Sequence, residues 1–175
     1  MQDNVKIAES TADDVASIVS IYPLAFPDED LVPVVSELLN DRSDVLSLVA
    51  VVDAQIVGNV IFTSCHVEGS TDDVALLAPL AVAPAKHRQG IGTALVLAGF
   101  AQLEQAGVDQ VFVLGDPAYY GRLGFRRDAH VEPPYPLPKE WEGAWQSRCL
   151  GETAATRSGK LLVPPPWQHR SLWVP

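Results

Sequence analysis

The stretch Leu80–Gly92, LAVAPAKHRQGIG, constrains the fold more than any other part of the chain. The apolar run over residues 75–82 predicts a β-strand, and a basic turn follows it (Lys86, His87 and Arg88). Gly90 and Gly92 then open a long apolar helix. A helix start presents backbone N–H groups and the positive end of the helix dipole, a combination that suits a phosphate. The sequence therefore predicts a strand–turn–helix unit that binds a phosphorylated cofactor.

Two common phosphate-binding motifs do not fit this spacing. A P-loop needs Gly-Lys-Ser/Thr, whereas Thr93 and Ala94 follow Gly92. A dinucleotide-binding fingerprint needs a third glycine three residues after the second, and that position is Leu95. Nucleotide-binding enzymes of these two types are therefore disfavoured.

The same residues resemble the GNAT superfamily of N-acetyltransferases, whose Gln/Arg-x-x-Gly-x-Gly/Ala motif follows a strand and wraps the pyrophosphate of acetyl-CoA. The segment 87–92, HRQGIG, fits that register, with His87 where Gln or Arg is usual. Downstream, a helix at 93–105, a strand at 111–114 and the segment 120–125, YGRLGF, are similar to the family's strand and Tyr-x-x-x-Gly-Phe motif. The resemblance covers roughly residues 45–125.

This resemblance implies an α/β fold with a mixed α+β sheet, namely a GNAT-like acyl-CoA N-acyltransferase fold whose central sheet is splayed and flanked by helices. The splay would admit the pantetheine arm of acetyl-CoA between the strand ending at Val82 and the strand at 111–114. The implied activity moves the acetyl group to a primary amine by direct attack, without a metal. The expected cofactor contacts are Leu80, Ala81, Val82, His87, Arg88, Gln89, Gly90, Ile91, Gly92, Thr93 and Tyr120.

Tyr120 is the expected general acid, because the family places a tyrosine here beside the cofactor sulfur and a phenol can protonate a leaving thiolate. Tyr119 is the adjacent competitor. The backbone amide of Leu80 is the expected oxyanion donor. Pro79 suits a disturbed strand at this point, since proline cannot donate a ladder hydrogen bond.

Several residues compete for the role of general base, which must take a proton from the acceptor ammonium. His66 and Glu68 are preferred, because residues two apart lie on one face if the strand stays regular. Four loop carboxylates are further candidates: Asp28, Glu29, Asp72 and Asp73.

Three alternatives to catalysis of acetyl transfer stay open at this point. The chain could be a non-catalytic acyl-CoA-binding sensor or interaction module, and Tyr120 argues mildly against that. It could be an unrelated nucleotide-binding enzyme, or an enzyme that transfers longer acyl chains.

The charge distribution bears on partners. Residues 1–85 hold 14 acidic and 2 basic side chains, whereas residues 86–175 hold 8 acidic and 10 basic ones. A net charge of −10 argues against nucleic acid, and the acidic first half can attract a cationic amine. Lys86 and Arg88 supply local positive charge for an anionic cofactor.

The length of 175 residues predicts a single acetyltransferase domain over 1–175. No signal peptide or membrane-spanning run is recognisable, and the isolated cysteines (Cys65 and Cys149) are typical of reduced thiols. We therefore expect a cytoplasmic protein. A homodimer is one option for its oligomeric state.

Residues 130–175 form a Pro/Trp-rich C-terminal segment. Trp141 and Trp145 lie at helical spacing, and 161–163 predicts an edge strand. We expect the tryptophans to be mainly structural anchors. A second interpretation places Tyr135, Trp141 or Trp145 in an acceptor pocket.

Overall fold

Apolar runs with a period of two become strands, and longer runs with helical periodicity become helices. The computed structural model describes residues 4–151 and 156–174. In these residues the strands are β1 Lys6–Glu9, β2 Val45–Val52, β3 Gln55–Val67, β4 Val74–Val82, β5 Gln110–Leu114, β6 Arg126–Arg127, β7 Val131–Glu132, β8 Trp145–Cys149 and β9 Gly159–Leu162. The α-helices are α1 Val15–Ala25, α2 Val32–Asn40, α3 Ile91–Gln105 and α4 Pro117–Gly121.

The chain forms two compact units, and neither is a continuous segment. The first contains residues 1–62 and 78–101, and the second contains residues 63–77 and 102–175. The chain therefore passes between the units inside β3, inside β4 and inside α3. The expectation of a single domain over residues 1–175 stays a prediction.

In the first unit, strands follow the order β1-β2-β3-β4. The turn between β2 and β3 places Asp53 and Ala54 at φ values of 49° and 62°, the left-handed pair that a tight hairpin requires. A buried polar chain supports this unit: the Tyr22 hydroxyl donates to Asn59 Oδ1 at 2.6 Å, and Asn59 Nδ2 donates to Ser47 Oγ at 3.0 Å. Burial raises the pKa of Tyr22, so that its phenol stays a donor.

In the second unit, strands follow the order β4-β5-β8-β6, and β9 pairs with β3 and β7. β4 and β5 are parallel, with Ala75 opposite Val111 and Leu76 opposite Phe112. In the described part of the chain these strands pair at those two positions, although β4 continues to Val82 and β5 to Leu114.

The C-terminal segment differs from its predicted secondary structure. Trp141 lies in a 3₁₀ turn over Lys139–Ala144, and Trp145 begins strand β8, so the helical spacing of these tryptophans was misleading. β8 pairs with β5 over five positions, from Gln110↔Cys149 to Leu114↔Trp145. Tertiary pairing with a buried strand has overridden the local pattern.

Three tryptophans anchor this segment, as expected. Trp145, Trp167 and Trp173 are at most 5% exposed, and each indole N–H has an acceptor. The Trp173 ring lies 6.0 Å from that of Trp145 and 6.2 Å from that of Trp167. Large apolar rings with satisfied donors hold a segment that has little regular structure.

Arg157 links three parts of the second unit and had no signal in the sequence. Its Nη2 lies 3.0 Å from Asp72 Oδ2 and 2.8 Å from Asp109 Oδ1, and its Nη1 donates to Gln110 Oε1 at 2.9 Å. Burial alone would lower the pKa of Arg157, but the hydrogen bonds and charges of the two carboxylates raise it. The guanidinium thus connects the β3–β4 turn to the start of β5.

We expect Arg157→Met to lower the free energy of unfolding by about 2 kcal/mol. The methionine keeps apolar packing but loses the hydrogen bonds, while water can still reach Asp72 and Asp109, whose side chains are 63% and 38% exposed. Urea denaturation would measure the change, with Arg170→Met, at an exposed position, as the control. Equal urea midpoints for the two variants would contradict this role.

Candidate active site and cofactor loop

The second half of β4 has one partly open face. Residues 74–77 are all buried, whereas Ala78, Leu80 and Val82 are half-buried and alternate with buried Pro79 and Ala81. Because side chains alternate across a strand, the half-buried set shares one side. Leu80, Ala81 and Val82 therefore lie where the sequence places them, at the end of the strand that leads to the basic turn.

The turn from His87 to Gly90 is exposed and has an unusual backbone. Arg88 has φ +63° and Gly90 has φ +77°, both left-handed. A left-handed arginine costs of order 1–3 kcal/mol, and such strain is concentrated at ligand-binding loops. Backbone N–H groups in such turns can point toward a common side, which suits an anion.

α3 begins directly after this turn. The amide of Ala94 donates to Gly90 O at 3.0 Å, the first hydrogen bond of the helix. The amides of Ile91, Gly92 and Thr93 precede it and belong to the set that has no acceptor within the helix. These three amides can therefore donate hydrogen bonds to an anionic ligand.

His87 ties the turn to β4. Its Nε2 lies 2.7 Å from Val82 O. Because a carbonyl only accepts, Nε2 carries the proton and donates. The histidine that departs from the family pattern thus holds the turn against the strand through its side chain.

Tyr120 lies on α4 in the second unit, and its ring is held on three sides. It packs edge-on against Tyr119 and Phe125, with centroid distances of 5.0 and 5.6 Å. The third wall is Gly115, where an added Cβ would overlap Tyr120 Cε2. Among the described residues, none forms a hydrogen bond with the Tyr120 hydroxyl, so its proton is not committed within this part of the chain.

Burial raises the pKa of Tyr120 above its ordinary value, and the neighbouring Tyr119 adds to the effect. A raised pKa keeps the phenol protonated through neutral and mildly alkaline pH. Tyr120 is therefore available as a proton donor under all ordinary conditions. This is the state that a general acid requires.

We expect Gly115→Ala to displace the Tyr120 ring, since the new methyl group would overlap it. If Tyr120 is catalytic, kcat should fall by about 10-fold or more, because misplacement by 1 Å can cost that much. Steady-state kinetics would measure kcat, and thermal unfolding would show whether a fall in kcat reflects loss of folded protein instead. Gly121→Ala, whose Cβ would meet nothing within 4 Å, is the matched control. Equal kcat values for the two variants would contradict the requirement.

His66 and Glu68 are both exposed and flank the buried Val67, the alternation expected of residues on one face of a strand. β3 ends at Val67, so Glu68 lies in the following turn. The His66 ring contacts Asp72 O at 3.2 Å and Asp73 Oδ1 at 3.9 Å. In the described residues, no contact joins either of them to Tyr120.

The other carboxylates that the sequence offered as bases are also exposed: Asp28, Glu29, Asp72 and Asp73. Asp72 is occupied by Arg157. Across residues 4–151 and 156–174, no group of three or more His, Cys, Asp or Glu side chains is arranged to hold a metal ion. The helices in the same ranges include none that is long and apolar enough to cross a membrane.

Comparison with known proteins settles the family. The acetyltransferase (GNAT) domain family matches residues 43–127. Over 160 residues the chain is 33% identical to the uncharacterized N-acetyltransferase YjhQ of Escherichia coli K12, covering 87% of this chain and 88% of that protein. The chain belongs to the GNAT family.

Solved GNAT structures agree over nearly the whole chain. The N-acetyltransferase YhbS of Escherichia coli, in complex with CoA, has a TM-score of 0.87 at 28% identity, covering 95% of this chain and 93% of that one. A GNAT acetyltransferase from Brucella melitensis, in complex with acetyl-CoA, has a TM-score of 0.77 at 26% identity, covering 95% and 99%. The predicted GNAT-like α/β fold is confirmed, and the protein is an acetyl-CoA-dependent N-acetyltransferase.

Proposed function

We propose that this GNAT protein transfers the acetyl group of acetyl-CoA directly to a primary amine, on a small molecule or a protein. The observation that carries the proposal is the left-handed backbone at Arg88 and Gly90 immediately before α3. It presents the first amides of α3, which have no acceptor within the helix, and the positive end of the helix dipole to an anion. Lys86 and Arg88 add positive charge at this turn, in a chain whose net charge is −10.

The proposed cofactor contacts run from β4 into α3. The amides between Arg88 and Thr93 would hold the pyrophosphate, with His87 fixing the turn through Val82 O. Leu80, Ala81 and Val82 would border the pantetheine arm, and the Val82 amide would bond to it. The Val82 carbonyl keeps a second lone pair after accepting from His87.

In the proposed reaction the acetyl group passes directly from the thioester to the amine. The amine nitrogen attacks the thioester carbonyl carbon, the carbon–sulfur bond breaks, and the amide forms. The Leu80 amide donates to the developing oxyanion, and the Tyr120 phenol gives its proton to the leaving thiolate. The proton lost by the ammonium leaves through a base or water.

His66 and Glu68 stay the proposed bases. Both are exposed and can exchange protons with water. Comparing the pH profiles of kcat/KM for His66→Gln and Glu68→Gln would test them. A profile that keeps its acidic limb in both variants would assign the step to water or to another group.

The experiment that tests the proposed function measures thiol release from acetyl-CoA over a broad panel of amines. Acceptor-dependent release, with the N-acetyl product found by mass spectrometry, is the expected result. Thermal stabilisation by CoA with no release for any amine would leave only a binding role. Fractionation and light scattering would check the expected cytoplasmic location and homodimer.

A further inference from the structure

The second unit contains a cavity of about 470 Å³ beside β7 and the proline-rich loop. This volume lies in the range of small-molecule sites, which are mostly apolar with a few polar groups. The apolar part of the lining comes from seven residues: Ala129, Val131, Pro133, Tyr135, Pro136, Leu137 and Trp145. Two aromatic side chains thus border one concave space.

The loop that forms one wall is stiff. Prolines occupy positions 133, 134, 136 and 138, so only Tyr135 and Leu137 lie between them. Each proline fixes its own φ and restricts the residue before it. Tyr135 and Leu137 are half-buried and are therefore presented with little conformational freedom left to lose on binding.

The charged part of the lining is mostly occupied. Asp128 accepts from the amides of His130 and Val131 and from the Ser147 hydroxyl. Arg127 and Glu142 lie 3.5 Å apart as an ion pair.

Two charges of the lining remain, Glu132 and Lys160, which are opposite each other in the β7–β9 register. Among the described residues, no ion pair engages Glu132. Its exposed carboxylate can attract an ammonium group, and the exposed Lys160 can attract a carboxylate.

Gly115 contacts both the Tyr120 ring and the backbone next to Trp145, one of the cavity-lining residues. The Gly115 amide donates to Ala144 O at 3.0 Å, next to Trp145 in the cavity lining. Gln146 Nε2 donates to Gly115 O at 3.2 Å. Because the Tyr120 ring packs on Gly115, a single residue separates the proposed acid from the segment that lines the cavity.

We propose that this cavity binds the acceptor and that the acceptor is a small primary amine on an aromatic body. The inference rests on the proposed function and deepens it. The aromatic body packs against Tyr135 and Leu137, and Glu132 attracts the ammonium group. Two kinds of acceptor share this chemistry: an aromatic amine without a carboxylate, as in 2-phenylethylamine, and one with a carboxylate that Lys160 binds, as in phenylalanine.

The test compares kcat/KM for 2-phenylethylamine, phenylalanine and ethylamine in the full-length protein. At least one aromatic amine should exceed ethylamine by roughly 10-fold or more. Tyr135→Ala should lower kcat/KM for that amine by roughly 10-fold, mainly through KM. Trp141→Ala is the matched control, since this tryptophan lies in the 3₁₀ turn that follows the proline-rich loop and is not part of the lining.

Lys160→Gln distinguishes the two kinds of acceptor, because it should lower kcat/KM for phenylalanine and not for 2-phenylethylamine. If Tyr135→Ala folds poorly, Leu137→Ser tests the same cavity. Calorimetric titration of 2-phenylethylamine into the CoA-bound protein measures binding independently of turnover. Two outcomes would overturn this inference and leave the proposed function standing. One is that kcat/KM for ethylamine equals that for both aromatic amines. The other is that KM is unchanged in Tyr135→Ala and Leu137→Ser. No thiol release with any amine would overturn both.

Discussion

Tyr120→Phe should lower kcat for thiol release by about 100-fold or more while CoA binds as before. The substitution removes one oxygen atom and keeps the ring that packs between Tyr119, Phe125 and Gly115. The leaving thiolate then loses its proton donor. Because the pKa of Tyr120 is raised, the wild type should show no loss of activity from tyrosine ionisation below about pH 10.

Tyr119→Phe is the matched control for this experiment, since it removes the same atom from the neighbouring ring of the same helix. Stopped turnover assays give kcat, and calorimetric titration with CoA gives the affinity. Unchanged kcat in Tyr120→Phe would remove the acid assignment. A loss confined to Tyr119→Phe would transfer that role to Tyr119.

Gly90→Glu should weaken CoA binding by at least about 100-fold. At φ +77° the new side chain is strained, and its carboxylate would stand beside the site that we propose for the pyrophosphate. Nothing lies within 4 Å of the added Cβ, so the protein itself can accommodate it. Thermal shift with CoA and equilibrium dialysis would measure the effect.

Gly107→Glu controls for strain and charge. Gly107 follows α3 as Gly90 precedes it, has φ +88°, and also has nothing within 4 Å of an added Cβ. Both variants should lose about 1 kcal/mol of stability, but only Gly90→Glu should lose the stabilisation by CoA. Equal CoA affinity in the two variants would contradict the proposed cofactor loop.

Much of the first 125 residues could be predicted from sequence because local signals and tertiary structure agree there. The apolar run before Pro84 is β4, and the glycines after it precede or begin α3, with boundaries shifted by one or two residues. The hairpin at Asp53 was also predictable, although its left-handed alanine was not. Where local preference and packing coincide, periodicity suffices.

The rest depends on contacts between residues distant in sequence. Trp141 and Trp145 are spaced as on one face of a helix, but Trp145 belongs to strand β8 because that segment pairs with β5. No pattern indicates that Gly115 must be small, since the ring that fills its space lies on the following helix. The same holds for the cavity, which needs β7, β9 and the proline-rich loop together.

The path of the chain through its two units has a consequence for proteolysis. Since residues 1–62 and 78–101 make one unit and the remainder makes the other, a cut at any single peptide bond leaves at least one unit without part of its sequence. Limited digestion should therefore yield trimmed ends or complete degradation, and no stable half-molecule. Expressing either half alone would fail for the same reason.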